Sequence, residues 1–232
     1  MKLKNFHDLF VHELKDLINA ERQIREALPR LARAAESPML AEAFEMHQAE
    51  TEQQIERLES IFNEMGLTPR GTHCPGAEGL IKEGEELIEN AEDPQVLDAG
   101  LITAGQRVEH YEIAAYGTAI EYARLLELPN AVALLEQSLE EEKATDRKLT
   151  EIAESVNRLA LSAYQESASR TRRRPLPVGY HSLELPRATQ QSSSEAPGRR
   201  SLPRASLSNR NPPFWQKYCR NGGFFCHSVR PS

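Results

Sequence analysis

Cysteine is nearly absent: there are three in 232 residues, and only Cys74 precedes position 219. That count excludes a disulfide framework or a closely spaced zinc-ligand set, and it fits a reducing compartment. Long apolar runs are missing as well. No stretch approaches the roughly 20 residues needed to span a bilayer, so an integral membrane protein is excluded. The opening segment MKLKNFHDLFVHELKDL is charged every few residues and lacks the apolar core of a secretory signal, so a cytoplasmic location is expected. Neither a glycine-rich phosphate loop nor a nucleophile elbow occurs. At this length two large domains are also excluded.

What is present falls into two materials that meet near residue 158. Residues 1–158 carry 32 Asp and Glu against 16 Lys and Arg, and residues 159–232 carry 3 against 12. The overall charge of −7 therefore averages opposites. The acidic part is rich in Ala, Leu and Glu. The basic part holds 8 of the 14 prolines and the arginine run at 170, 172, 173 and 174. It lacks apolar periodicity, so a disordered tail over 159–232 is expected, because too little surface can be buried to offset chain entropy.

Helix punctuation is legible in the acidic part. Phe6, Leu9, Phe10, Leu14, Leu17, Glu21, Ile24, Leu28 and Leu31 recur at spacings of three and four, which predicts a first helix over 5–35. Pro29 falls late in it, where a kink is expected. Ser37-Pro38 reads as an N-cap with proline in the first turn, opening a second stripe through Phe44, His47, Gln54 and Ile61 to Gly66. Asp93-Pro94 repeats that signal before the stripe Leu101, Gly105, Val108, Glu112, Ala119, and Pro129 opens the last, through Leu135, Leu139, Glu142 and Leu149. Between the second and third lies 67–93, carrying a short helical pattern of its own at Leu80, Ile81, Leu87 and Ile88. Short, long, short is the connection pattern of an all-α four-helix bundle with one crossover, as in ferritin-like folds.

Each stripe is interrupted near its middle by an acid. Glu21, Glu112 and Glu142 stand on theirs, Glu50 beside the second, and Glu109 and Asp146 lie one turn from Glu112 and Glu142. A buried unpaired carboxylate costs several kcal/mol, so four in one core demand protons, basic partners or cations. Two divalent ions would neutralise four carboxylates, and hard oxygen ligands suit iron or manganese. The competing reading is a set of solvated faces in an acid-rich chain. The Glu-x-x-His pairing of di-iron bundles is absent: Glu50 is followed by Gln53 and Gln54, and Glu142 by Thr145 and Asp146. His47, one turn before Glu50, is a candidate ligand or a donor to one, with a hydrogen-bonded core histidine as the alternative. His110 reads as outward or at a subunit contact. Tyr111, Tyr116 and Tyr122 read as packing residues and Cys74 as a buried, incidental thiol.

The segments AERQI at 20–24, HQAETEQQIERLE at 47–59, EGLIKEGEELIE at 78–89, GQRVEHYEIAAYGT at 105–118 and LEEEKATDRKLTEIA at 139–153 resemble the YciE/YciF group of bacterial ferritin-like stress proteins. The resemblance covers about residues 3–158. It implies a ferritin-like four-helix domain, a dinuclear metal site, dimeric assembly and a link to osmotic or general stress. The implied site positions are Glu21, Glu50, Glu109, Glu112 and Glu142, with Gln54 and Asp146 where other di-iron bundles offer histidine.

Three functions of different kind follow. One is a dinuclear iron or manganese protein acting on oxygen, peroxide or ferrous ion. Another is a homodimeric stress scaffold without metal. The third is association of nucleic acid with the arginines of the tail, which the acidic bundle would oppose. The tail's closing segment gathers Cys219, Cys226 and His227, too few ligands for a metal knuckle. Its abrupt change of composition reads as a shifted reading frame or a fused stretch rather than a functional domain.

Overall fold

The computed structural model of the chain describes residues 2–173. The expectations for Arg174, Cys219, Cys226, His227 and the rest of the basic tail lie outside them. Five helices and no strand occur among the described residues: α1 (Phe6–Ala34), α2 (Pro38–Glu64), α3 (Pro75–Asn90), α4 (Pro94–Leu125) and α5 (Pro129–Arg173). No helix among them is long and apolar enough to cross a membrane.

Four of the five helices open with proline in the first turn, where its missing N–H is no loss and its fixed φ suits a helix. Asp93 caps α4, its carboxylate accepting from the N–H groups of Gln95 at 2.9 Å and Val96 at 3.0 Å. Ser37 does not cap α2 with its hydroxyl. The turn is held instead by Asp98 of α4, which is buried and accepts from the N–H groups of Glu36 and Ser37 at 2.8 Å each. Gly66 ends α2 at φ +66°, a left-handed position that suits glycine. Pro29 lies inside α1 without ending it. α5 continues past residue 158, so 159–173, expected to be disordered, is helical. Those fifteen residues contain neither proline nor glycine, and good helix formers extend an existing helix at little cost.

α1 packs along α2 and α4 along α5, and the two hairpins meet through α1 with α4 and α2 with α5. The crossover carries α3, which lies against α1 and α4. This is the ferritin-like arrangement that the connection lengths predict. Its core is two apolar layers. One gathers Ile24, Leu28, Phe44, Leu101, Leu149 and Ile152, and the other Phe10, Leu14, Leu17, Leu58, Phe62 and Leu135. Each such side chain contributes about 1.5–3 kcal/mol by leaving water. At Gly105 there is no room for a side chain: a Cβ there would stand 3.0 Å from Leu149 Cδ1 and 3.4 Å from Phe44 Cε1.

Candidate metal centre

Between the apolar layers every one of the four long helices contributes a polar side chain, at the point where its stripe is interrupted. Glu21 comes from α1, His47, Thr51 and Gln54 from α2, Glu109 and Glu112 from α4, and Glu142 from α5, all buried. Helical period dictates this: residues three, four and seven apart share one face, so 47, 51 and 54, like 109, 112 and 116, stack inward.

His47, Glu109, Glu112 and Glu142 each offer one ligand atom, and these atoms lie within 4.8 Å of one another. His47 Nε2 stands 3.4 Å from Glu109 Oε1, 3.9 Å from Glu142 Oε2 and 4.0 Å from Glu112 Oε2. Glu21 adjoins the group through Glu112. Tyr116 donates its hydroxyl to Glu21 Oε1, and Gln54 donates Nε2 to Glu142 Oε1. Gln54 also donates to Glu141 Oε2 at 3.0 Å, and Arg57 grips Glu141 with two bonds of 2.6 and 2.7 Å. That outer pair fixes the amide that in turn fixes Glu142.

Glu50 and Asp146 are not buried with the others. Their side chains remain 35% and 23% exposed, at the rim. Glu50 Oε2 lies 3.8 Å from His47 Nδ1 and accepts from Thr145 Oγ1 at 3.4 Å. Asp146 Oδ1 faces the exposed His110 at 3.4 Å and accepts from Gln106 Nε2 at 3.2 Å.

The buried group is electrostatically unfinished. Among the described residues, the buried side-chain atoms without a hydrogen-bond partner are Glu21 Oε2, both nitrogens of His47, Gln54 Oε1, Glu109 Oε2, both oxygens of Glu112 and Glu142 Oε2. All belong to this one group. Desolvation pushes the carboxyls of Glu21, Glu109, Glu112 and Glu142 above the usual range, and neighbouring carboxylates push the first three further, whereas His47 pulls Glu142 back down. Native proteins leave few buried polar atoms unpartnered, so several at one point mark a place for a further ligand. The donor set is carboxylate oxygen with one imidazole, which fits iron or manganese.

Tyr116 shows what periodicity left out. Expected as a packing residue, it is fully buried but spends its hydroxyl on Glu21. Its spacing of four from Glu112 was the available signal. Tyr111 and Cys74 also form a polar group, with Tyr111 donating to Asp16 Oδ2 at 2.7 Å and Cys74 Sγ 2.9 Å from the same hydroxyl. Cys74 is the residue before α3, and its sulfur accepts from Ala77 N–H at 3.4 Å.

A family model described as a domain of unknown function, DUF892, matches residues 5–162. The chain belongs to the DUF892 family. Protein YciF of Escherichia coli (strain K12) is 46% identical over 162 residues, which are 69% of this chain and 98% of YciF. The crystal structure of that E. coli stress protein matches with a TM-score of 0.65, over 67% of this chain and 98% of its own. YcfI of Rhodopseudomonas palustris matches with a TM-score of 0.63 at 42% identity, over 64% and 95%. The DUF892 match thus takes in α1 to α4, most of α5 and every candidate ligand, and with the YciF match it bears out the YciE/YciF resemblance carried by the five quoted segments.

Proposed function

We propose that this chain binds two iron or manganese ions among Glu21, His47, Glu109, Glu112 and Glu142, and acts with them in a stress response on dioxygen, peroxide or ferrous ion. The observation that carries this reading is the convergence of unpartnered buried atoms from all four long helices on one point. Two divalent ions bring +4 against the −4 of Glu21, Glu109, Glu112 and Glu142, so the core is left neutral. Bound there, such ions supply Lewis acidity and one-electron redox chemistry. The chain's own residues orient and insulate. Tyr116 and Gln54 hold one oxygen each of Glu21 and Glu142 and leave the others free, the apolar layers exclude water, and Glu50 and Asp146 set negative charge at the rim, where it attracts cations.

A metal-free homodimeric scaffold is the second reading, and one observation favours it: burial that raises four carboxyl pKa values also lets protons replace cations. Elemental analysis of protein expressed without a chelating tag separates the two. Glu21→Ala, Glu112→Ala and Glu142→Ala should each lower bound iron or manganese, and Glu42→Ala, at an exposed position, should not. Equal metal content in all four variants, or none in the parent, leaves the scaffold. Dimeric assembly and a cytoplasmic location complete the proposal, and sedimentation of the full chain together with fractionation of the source cells tests them.

A further inference from the structure

Only Ala77 and Gly84 of α3 are buried, and they are among the smallest residues available. Gly79 stands in its middle, where an added Cβ would meet nothing within 4 Å. Packing therefore does not require glycine there, and glycine weakens a helix about fivefold relative to alanine. The second half of α3 is held to α1 by Arg30 with Glu85 and Glu89, and to α4 by Arg107 with Glu83. These side chains are between 39% and 67% exposed, so the pairs contribute little and are screened by salt. The flanks of α3 are fixed more firmly. Before it, Cys74 donates its N–H to Asn19 Oδ1 at 2.7 Å and accepts at its carbonyl from Gln23 Nε2 at 3.1 Å. The Cys74 sulfur lies 2.9 Å from the Tyr111 hydroxyl and 3.2 Å from Asp16 Oδ2. After it, Asp93 caps α4. A cavity of about 30 Å³ adjoins the loosely held stretch, walled by Leu80, Ile81 and Gly84 of α3 together with His47 and Glu109.

We propose that residues 79–90 are a lid that lifts by local unfolding between fixed posts at Cys74 and Asp93, and that a divalent cation reaches His47 and Glu109 beneath it. Local openings of this kind come from the parts of a fold with the fewest buried contacts, and α3 is such a part. A cavity of this volume holds one or two waters, at roughly 10–15 Å³ each, so an ion with its hydration shell does not fit while α3 is seated. Lifting also frees Glu83, Glu85 and Glu89 from their arginines, which leaves negative charge along the route. The proposal rests on the metal reading above only for what passes, since the lifting is a property of α3 itself. Glu50 and Asp146 gather cations at the rim, and the step inward past α3 sets the rate of loading.

The test uses the full chain. Amide hydrogen exchange of the metal-free protein should run at least tenfold faster over 81–90 than over 101–120 of α4, and faster still at high salt. Gly79→Ala should slow exchange over 81–90 about fivefold. Gly117→Ala, which adds a methyl to α4 that also meets nothing within 4 Å, should leave that ratio unchanged. Alkylation of Cys74 by iodoacetamide, located by peptide mapping, should stay far slower than lid opening, because the post holds while the lid lifts. Uptake of manganese and of ferrous ion, measured as bound metal against time, should slow about fivefold in Gly79→Ala at unchanged final content. Exchange over 81–90 no faster than over 101–120, or alkylation of Cys74 that keeps pace with it, overturns the lid. Slower exchange in Gly79→Ala with unchanged uptake means entry past Glu50 and Asp146 alone and overturns the route. Fast local exchange in a chain that takes up neither ion overturns the metal reading and leaves the lid standing.

Discussion

Glu112→Gln should stabilise the metal-free protein and destabilise the metal-loaded one. Glu112 is fully buried, both its oxygens lack partners, and desolvation with the charges of Glu142, Glu21 and Glu109 raises its pKa well above 4.5. In the unfolded chain the same carboxyl ionises near 4.5. The native state therefore binds one more proton than the unfolded state between these two pKa values, and stability falls as pH rises through that window. The slope is about 1.4 kcal/mol per pH unit for each carboxyl that stays protonated. An amide of the same shape does not ionise, so the difference in stability between Glu112→Gln and the parent should widen in the variant's favour from pH 5 to pH 7. Urea unfolding with a chelator present, at pH 5, 6 and 7, measures that difference, and equal m-values check that the same surface is exposed. With iron or manganese saturating, the sign reverses: the parent gains binding energy, about 2.7 kcal/mol at a hundredfold excess over Kd, which the amide largely forgoes. A variant less stable than the parent at every pH with chelator would refute the reasoning, because Glu112 would then have been well partnered without metal.

Gly105→Ala should cost about 1–3 kcal/mol in thermal or urea unfolding, because its methyl would crowd Leu149 and Phe44. Asp98→Ala should cost a similar amount, about 1–3 kcal/mol per unpaired group, by stranding the N–H groups of Glu36 and Ser37 at the first turn of the chain. Glu127→Gly should stabilise the same transition by about 0.5–1 kcal/mol, since Glu127 ends α4 at φ +57°, where a side chain is strained and glycine is not.

The fold was readable because its punctuation is local. Proline in the first turn starts helices at 38, 94 and 129, and the tertiary structure keeps each of those starts. The mid-stripe acids were readable for the same reason, since period alone puts Glu21, Glu112 and Glu142 on inward faces. Whether such acids are buried or solvated depends on the neighbouring helices, which the pattern of a single helix does not encode. Hence the solvated alternative stayed open until α1, α4 and α5 closed around them. His47 and Glu50 divide on this point: one turn apart, one is buried against three carboxylates and the other stands at the rim. Hydrogen-bond direction was the least legible feature. Tyr116 looks like any core aromatic until Glu21 is placed opposite its hydroxyl, and Ser37 looks like a cap although Asp98, 61 residues away, holds the turn. The helicity of 159–173 escaped a reading based on apolar period, because an extending helix needs only residues that tolerate it.

The most direct test is anomalous diffraction at the iron and manganese edges from crystals of the untagged protein. Two peaks are expected between α1, α2, α4 and α5, each within bonding distance of carboxylate oxygens from Glu21, Glu109, Glu112 or Glu142, with His47 nitrogen on one of them. Crystals grown with excess metal that show no such density, and carboxyls bonded to one another through protons, would contradict a metal centre and leave a helical scaffold with a protonated core.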